Sequence, residues 1–444
     1  MFKRLLALVL VVGLGFGAWS IGKFPTWNIG LVAGAQNVDV QPRKAALICP
    51  GPVFTNGGAS GVTLGAFTQS GNVNIDSLGG NSTSSTDLII TDDGSSNTNL
   101  NAIQTQLAAG TQVSGLLATN CSPGVGDAWL VAGDNSIGRE ALLVLANPGK
   151  VDATVSLQLL GGSGAIQGAG LSGISAPAGK VTVLPLSSFA PKASTFAVQV
   201  SVRGSELGVW LQQKTVRGLT PGGVDLVGPA ANPALIQDIP GVFLRQEAKL
   251  ETQSLQPDFS DLTPILRIVN PGAKTATFTA QVQAADGASF GTVVQGEVAA
   301  GSVKDFPLTN LADGNYAVHI ESDQVTSAAV RYSRFSGSNQ DFAWAAAVTA
   351  QKLSSSFVTP TGSKSRLSVT NSNKTSVTLT LNGKSYQIQP LSDSQFQLNA
   401  GAHNQISSSQ PVSASQVIDV NGSIAVVPVS EFQSVGGKLK VRIR

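Results

Sequence analysis

Apolar and polar residues alternate in short runs along most of this chain, and Gly, Pro and Asn separate the runs. The runs at 154–159, 277–282 and 376–381 each place a hydrophobic residue at every second position. Because successive side chains of a β-strand point to opposite faces, each run predicts a strand with one buried face. The turn residues between the runs predict many short strands.

A short motif with a central asparagine precedes each of these three runs. Its copies are 145–149, 268–272 and, more weakly, 369–373, with Asn147, Asn270 and Asn371 as the third residue. A spacing of roughly 100 residues indicates tandem domains, since solenoid units are about 20–50 residues long. Several short strands per unit, separated by turns, predict antiparallel β-sandwiches.

The predicted fold class is all-β, with tandem immunoglobulin-like antiparallel β-sandwich domains after one N-terminal transmembrane helix. The alternative is a parallel β-helix, but its rung period of about 20–25 residues is not found in the sequence. The expected segments are a signal anchor at 1–23, a linker at 24–44, an N-terminal β domain with a disulfide at 45–136, sandwich repeats at 137–240, 241–341 and 342–434, and a basic terminal strand at 435–444.

The segment 45–136 resembles the repeats least. One short helix is expected there at 99–109, because Leu100, Ile103 and Leu107 would share a helical face. A strand with an aromatic residue precedes each repeat, at Trp129, Phe243 and Trp344. We expect Trp129 and Trp344 to fill domain cores.

The N-terminus predicts export. Lys3 and Arg4 precede 18 uncharged residues, 5–22, which would span about 27 Å as a helix and so just cross a hydrocarbon core. The basic start would stay in the cytoplasm. The alternative is a signal peptide cleaved near Ala18, which would give a secreted protein. Either way we expect the bulk of the chain to be extracytoplasmic, with the membrane as partner of the uncleaved helix.

Composition agrees with an exported β protein. Charged residues make up 12% of the chain, against about 25% in typical soluble domains. The net charge of +2 is small for 444 residues, so no nucleic-acid partner is expected. Two cysteines alone in an exported chain predict one disulfide, Cys49–Cys121, and the alternative is two unpaired buried thiols.

Signals for chemistry are sparse. His319 and His403 are the only histidines, and they fall in two different repeats. His319 is out of phase with the apolar residues of its run, so it is expected to face solvent. A Ser-His-Asp triad or a histidine-rich zinc site therefore lacks its residues. We expect no enzyme, no catalytic residue, no cofactor and no metal.

Two features are candidate ligand contacts. Trp210 could stack on a sugar, and a place in the core is the alternative. At the C-terminus charged and aliphatic residues alternate, so a strand there would carry one basic face, formed by Lys438, Lys440, Arg442 and Arg444. That face could contact anionic lipid or wall polymer. Alternatively, it discourages edge-to-edge aggregation.

The order of features resembles a family of uncharacterised actinobacterial envelope proteins. In that family a signal anchor precedes a Cys-Pro-Gly-Pro segment, here Cys49 to Pro52. A second cysteine, a Trp-containing strand and a Leu-x-x-x-Asn-Pro segment follow, the last here from Leu143 to Pro148. The resemblance covers most of the chain after the anchor. It implies an extracytoplasmic location and a β-sandwich architecture, and it implies no activity.

These observations predict a non-enzymatic, membrane-anchored cell-envelope protein that acts as a multi-domain scaffold or protein-interaction stalk. Its expected partner is an envelope protein, met through strand addition at an exposed sheet edge. The alternative is a protein that binds cell-wall polymer or carbohydrate, which would need a polar groove with an exposed aromatic. A glycoside or wall hydrolase is the least favoured hypothesis, since it needs two carboxylates converging in a cleft.

Overall fold

The protein is all-β in the part that its computed structural model describes. That part comprises residues 35–40, 46–56, 67–78, 80–81, 89–92, 100–285, 291–336, 339–429 and 437–442. Every strand pairing within it is antiparallel, which confirms the antiparallel prediction and leaves no parallel β-helix there. The helical elements of this part are α1 (Glu247–Ser254) and two 3₁₀ turns, Leu186–Ser188 and Ser260–Leu262.

Among the described residues, short sheets precede the repeats. After β1 (Ala35–Val40) come β2 (Ala46–Ile48), β3 (Val53–Asn56), β4 (Phe67–Ser70), β5 (Asn74–Leu78), β6 (Gly80–Asn81), β7 (Ile89–Asp92), β8 (Asn101–Ala109) and β9 (Ser114–Asn120). The sheet orders are β2-β7-β6, β3-β4 and β5-β8-β9. A disulfide joins Cys49 to Cys121, as predicted, and two backbone bonds between Ile48 and Ser122 lie beside it.

The helix predicted at 99–109 is wrong, because residues 101–109 form strand β8. The spacing of its leucines fits a helix, but β5 and β9 flank the segment and pair with it on both sides. The side chains of Gln104 and Gln106 accept the backbone N–H groups of Gly51 and Val53, at 2.9 and 2.7 Å. Pairing on both edges and these tertiary hydrogen bonds on one face hold the segment as a strand, so the local helical period does not decide its structure.

The three repeats form three sandwich-like pairs of sheets. The first sandwich contains β10 (Asp127–Leu130), β11 (Arg139–Ala146), β12 (Ala153–Gly161), β13 (Gly164–Ile166), β14 (Ile174–Ala176), β15 (Val181–Pro185), β16 (Phe196–Arg203), β17 (Gly208–Arg217) and β18 (Thr220–Val227). Its sheets have the orders β10-β16-β12-β13 and β15-β11-β17-β18, and β14 also pairs with β12. Alternate residues of both sheets meet in one apolar core.

The second and third sandwiches follow along the chain. The second contains β19 (Ala234–Leu244), β20 (Ile265–Asn270), β21 (Ala276–Ala284), β22 (Thr292–Val298), β23 (Ser302–Pro307), β24 (Gly314–Ser336) and β25 (Asn339–Ala346). The third contains β26 (Ser354–Val358), β27 (Lys364–Asn371), β28 (Val377–Leu381), β29 (Lys384–Ile388), β30 (Ser392–Leu398), β31 (His403–Ser408), β32 (Ser413–Val420) and β33 (Ser423–Pro428). Each has its own apolar core.

All three sandwiches share one strand order. The second has β19-β24-β21-β22 and β23-β20-β24-β25, because the long strand β24 runs through both of its sheets. The third has β26-β31-β28-β29 and β30-β27-β32-β33. Trp344 therefore lies on the last strand of the second sandwich. The boundary expected between 341 and 342 falls inside β25.

The repeated asparagine holds the same loop in each sandwich. Asn147, Asn270 and Asn371 are at most 1% exposed. In each, the side-chain oxygen accepts the backbone N–H two residues later, at 2.9–3.0 Å, and the amide nitrogen donates to the carbonyl four residues later. The same nitrogen reaches a carbonyl of another strand end, such as Val298 at 3.0 Å. The sequence repeat is thus a repeated loop anchor.

Replacing Asn270 by aspartate should lower the free energy of unfolding by about 3 kcal/mol, because a carboxylate oxygen would face carbonyls that now accept hydrogen bonds. Those carbonyls belong to Lys274, Val298 and Ala299. Urea denaturation measures the effect. Asn310→Asp is the control, because Asn310 is exposed and should tolerate the change. Equal stability of the two variants would contradict the anchoring role.

Residues Lys44–Ser434 form one compact unit, which holds all three sandwiches. In the other unit β1 pairs with β34 (Gly437–Arg442), and Val40 lies opposite Gly437. The predicted anchor at 1–23 lies outside the described residues. Among the described helices none is long and apolar enough to cross a membrane.

Candidate functional site at the four-strand junction

The last strands of the N-terminal sheets and of the three sandwiches meet in one place. These strands are β9, β18, β25 and β33, and each is an edge strand of its own sheet. They pack against one another, and we call this region the four-strand junction. Edge strands carry backbone N–H groups that have no partner strand on one side. When such strands are buried together, these N–H groups need hydrogen-bond acceptors from side chains or other strands.

A single carboxylate supplies acceptors to three of these strands. Asp341 lies on β25 and is 3% exposed. Its Oδ2 accepts the N–H groups of Leu116 on β9 and Ile424 on β33, at 2.9 and 3.0 Å. Its Oδ1 accepts the N–H of Val224 on β18, at 3.3 Å. Asp341 therefore bonds to one strand of every other part of the compact unit.

Two glycines make room for this carboxylate. Gly115 and Gly223 adopt φ values of +141° and +120°, and a Cβ at Gly115 would overlap the Asp341 carboxylate. A side chain at either position would be strained by its backbone conformation as well as by the lack of space.

A second buried carboxylate joins the first and second sandwiches. Asp225 on β18 accepts the backbone N–H of Trp344 through Oδ2, at 2.7 Å. The indole Nε1 of Trp344 donates to Oε1 of Gln213 on β17, at 3.1 Å. Trp344 is 2% exposed, so its ring and both of its N–H groups belong to this contact.

Burial raises the pKa of both carboxyls. The pKa of Asp225 rises to about 7 and that of Asp341 to about 8, although the backbone N–H groups oppose the shift. Desolvation disfavours the charged form, and here it outweighs those hydrogen bonds. Burial also raises the pKa of Asp393 to about 7 and that of Glu247 to about 8. Among the described residues, burial thus raises the pKa of four carboxyls to about 7 or 8.

These shifts predict that stability falls as the pH rises from 5 to 9. In the unfolded chain the pKa of such carboxyls is close to 3.8 for aspartate and 4.5 for glutamate, so from there up to about pH 8 the folded state binds more protons than the unfolded state. The stabilisation is complete below about pH 4 and is lost through pH 7–8. Urea unfolding at pH 5, 7 and 9 measures this. Asp393→Asn should flatten the slope, and a stability that rises steadily would contradict the prediction.

A polar cavity of about 240 Å³ lies between the first and second sandwiches. Its lining consists of charged groups, hydroxyls, one amide, one indole and one aliphatic side chain. The residues are Asp134, Ser136, Arg139, Ser194, Thr195, Gln213, Ser260, Asp261, Thr263, Ile265, Arg267, Asp305, Arg331 and Trp344. Gln213 and Trp344 also belong to the contact with Asp225, so the cavity adjoins the four-strand junction.

Arg267 crosses the cavity wall from the second sandwich to the first. Its side chain forms two hydrogen bonds to Asp305, at 2.7 and 2.8 Å. Nη1 donates to the carbonyls of Gly133 and Phe196, at 2.7 and 3.0 Å. The guanidinium also lies 4.7 Å from the Trp344 ring centroid, and Arg267 is 1% exposed. This buried arginine fixes the two sandwiches relative to each other.

Asp261, which also lines the cavity, forms ion pairs with three arginines. Arg217 donates to both carboxylate oxygens at 2.6 Å, and Arg139 and Arg331 approach within 2.8 and 2.9 Å. The three guanidinium groups keep the pKa of Asp261 well below its usual range despite burial. Asp261 is therefore ionised at neutral pH and cannot act as a proton donor.

The cavity is better suited to binding a ligand, or to holding the two sandwiches together, than to catalysis. Each of its carboxylates is paired with arginine: Asp134 and Asp261 with Arg139, and Asp305 with Arg267. A glycosidase needs one carboxyl with a raised pKa, which this arrangement opposes. The volume is also below the roughly 300–1,000 Å³ of most ligand pockets. In the described part of the chain no group of three or more His, Cys, Asp or Glu residues is arranged to hold a metal.

The expectation that His319 faces solvent is wrong. His319 is 7% exposed, and its Nδ1 lies 2.7 Å from Asp238 on the neighbouring strand. The hydrogen bond to Asp238 raises the pKa of His319. The hydroxyls of Ser372 and Ser413 bond to Asp238 and not to the imidazole, so neither of these two serines lies in the position of a triad nucleophile. The charged partner explains why a polar residue is buried in this strand.

His403, the other histidine, lines a separate cavity of about 320 Å³ beside Ser356, Asn382, Asn404 and Gln405. None of the residues that line this cavity is acidic. The two histidines thus lie at different places, as expected from their positions in two repeats.

The structure buries the predicted aromatic ligand contact. Trp210 is 1% exposed and packs in an apolar cluster with Ile48 and Leu142. Trp129 and Trp344 are 5% and 2% exposed, which confirms their place in cores. Lys438, Lys440 and Arg442 lie on β34, and Arg444 lies outside the described residues.

Sequence reasoning missed Asp341, Asp225 and Arg267. A signal for each was present. A charged residue interrupts an otherwise apolar run at Arg267 in 265–269 and at Asp225 in 224–227, and Asp341 directly precedes the apolar run 342–347. Such a residue is costly to bury alone, so it indicates a partner from elsewhere in the fold.

Comparison with known proteins identifies the family of this chain. The family DUF5719, which is of unknown function, matches residues 77–409, which extend from the end of β5 through β31 of the third sandwich. No curated protein matches the chain. The chain therefore belongs to this family, and the expectation of an uncharacterised family is confirmed.

Proposed function

We propose that this member of the DUF5719 family is a membrane-anchored, extracytoplasmic scaffold that presents one rigid multi-domain body to partners in the cell envelope. The observation that carries the proposal is the four-strand junction. Asp341 bonds to β9, β18 and β33, so the N-terminal sheets and the three sandwiches are fixed to one another by buried hydrogen bonds. This favours a scaffold over a flexible stalk.

The location is supported by two independent features. Residues 5–22 form an uncharged run that follows a basic start, as in a signal anchor. Cys49 and Cys121 are bonded, and disulfides persist chiefly in oxidising compartments outside the cytoplasm. The resemblance to actinobacterial envelope proteins points to the same location.

Membrane anchorage can be tested with the disulfide as a reporter. The full chain, expressed in an actinobacterial host, should sediment with membranes, resist high salt and dissolve in detergent. Its cysteines should resist alkylation until a reductant is added. A variant lacking 5–22 should remain cytoplasmic with reactive thiols. A full-length protein with free thiols in the cytosolic fraction would overturn the proposal.

The partner class is tested by co-sedimentation with isolated cell-wall sacculi across a salt series. The scaffold proposal expects no binding that survives high salt, because Trp129, Trp210 and Trp344 are buried and offer no stacking face. Binding that survives high salt would favour the wall-polymer function instead. Binding that disappears with salt would assign the contact to exposed basic groups.

Four sheet edges are used inside the junction, so a strand-adding partner must use another edge. β22 ends its sheet, and its residues alternate between partly buried and exposed positions up to the buried Val298. An added strand there would meet unpaired backbone groups and the exposed Val293. Cross-linking from this strand in intact cells is the matching experiment if sacculi do not bind.

A further inference from the structure

Three arginines surround one phenylalanine ring where the second and third sandwiches pack. The guanidinium carbons of Arg245, Arg366 and Arg334 lie 3.8, 4.4 and 5.2 Å from the Phe243 ring centroid. Any two of these guanidinium carbons are therefore within about 10 Å of each other. This is about one Debye length at 0.1 M salt, so the charges repel one another with little screening. Arg245 and Arg334 belong to the second sandwich, and Arg366 lies on β27 of the third.

The cluster carries more positive than negative charge. Arg334 pairs with Asp419 at 2.8 Å, and Arg245 donates to the carbonyls of Leu244 and Gly314. The Arg366 guanidinium has no hydrogen bond or ion pair with any described residue. The cation–π contact with Phe243 leaves its N–H groups free to donate.

The local electrostatics favour an added anion. Burial lowers the pKa of Arg245 and of Arg366, and the neighbouring arginines lower both further. Asp313 and Asp419 are the carboxylates that oppose these shifts, and neither forms an ion pair with Arg245 or Arg366 among the described residues. The three arginines are only partly buried, so solvent and ligands can reach them.

We propose that Arg245, Arg334 and Arg366 form a binding site for a phosphate group. A guanidinium presents a planar fork of N–H donors that matches phosphate oxygens and can donate two parallel hydrogen bonds. Arg366 supplies the free fork, and the other two arginines add charge from the second sandwich. The site spans two sandwiches that the rest of the fold holds in place, so it is organised before the ligand arrives.

Isothermal titration of the detergent-solubilised full-length protein with inorganic pyrophosphate tests the site. Wild type should bind, and Arg366→Gln should weaken binding at least tenfold. Arg366→Lys keeps the charge but lacks the planar fork of N–H donors. Its affinity for pyrophosphate should lie between those of wild type and Arg366→Gln. Arg203→Gln removes one exposed charge elsewhere and should bind like wild type. Circular dichroism checks that every variant is folded.

Two results would overturn the proposal. One is a heat of titration with pyrophosphate that is no larger than the heat of titration with sodium chloride at equal ionic strength. The other is a folded Arg366→Gln variant that binds as tightly as the Arg203→Gln variant. The inference does not depend on membrane anchorage, because a failed anchor test leaves these titrations unchanged.

The source of the phosphate group is decided by a second arm with sacculi. Binding to phosphate-bearing sacculi that is lost after chemical dephosphorylation, and lost in Arg366→Gln, would assign the site to a wall polymer. Pyrophosphate binding without sacculus binding would assign it to a small phosphorylated compound. Both outcomes retain the three arginines as the site, and the first would add a polymer ligand to the proposed scaffold.

Discussion

Replacing Asp341 by alanine is expected to lower the free energy of unfolding by about 4 kcal/mol, because buried N–H groups left without an acceptor cost about 1–3 kcal/mol each. Three such groups, on Leu116, Val224 and Ile424, now bond to this carboxylate. The loss is partly offset, since the variant no longer buries a carboxyl group whose pKa is raised. Equilibrium urea unfolding at pH 7 measures the change.

Asp323→Ala is the matched control for this prediction. Asp323 is exposed and accepts a single backbone N–H, that of Thr277 at 2.7 Å. Its replacement should cost below about 1 kcal/mol, since water can satisfy an exposed N–H group. A cost for Asp341→Ala no larger than that of the control would mean that the four-strand junction is held by apolar packing alone.

Arg267→Met should destabilise the protein by about 3–5 kcal/mol, the range seen when one partner of a buried ion pair is removed. Methionine fills similar space but leaves Asp305 without its two hydrogen bonds. The carbonyls of Gly133 and Phe196 would lose a donor as well. Because this side chain joins the first and second sandwiches, we also expect a broader unfolding transition with a lower m-value.

A second substitution separates the charge effect from the packing effect. Adding Asp305→Asn to Arg267→Met should recover part of the lost stability, because the partner left behind is then neutral. Arg203→Met is the control, since Arg203 is exposed and should tolerate the change within about 0.5 kcal/mol. Full stability of Arg267→Met would show that the two sandwiches do not depend on this residue.

Local pattern predicted much of the fold. The runs at 154–159, 277–282 and 376–381 lie on β12, β21 and β28, as alternation requires. The repeated asparagine marked equivalent loops, because its bonding partners lie two and four residues away. Features that depend on near neighbours are readable in a sequence.

The two wrong predictions, of a helix at 99–109 and of an exposed His319, have the same physical cause. The segment 99–109 has a helical spacing of leucines, but its glutamines bond to the backbone of Gly51 and Val53. His319 is out of phase in an alternating run, but Asp238 on an adjacent strand bonds to it. In both cases a residue far along the chain reverses what the local period favours.

The sequence by itself determined many of the β-strands and their alternation, which follow from residue type and short-range spacing. It also determined the disulfide, because the chain has two cysteines, and the threefold repetition, because one motif recurs. Only the tertiary structure decided that four edge strands meet, because residues near 116, 224, 341 and 424 are brought together by folding alone. The tertiary structure also decided which charged residues are buried and which arginines contact the ring of Phe243. A charge in a strand shows that a partner is needed, but the approach of distant strands determines which partner it has.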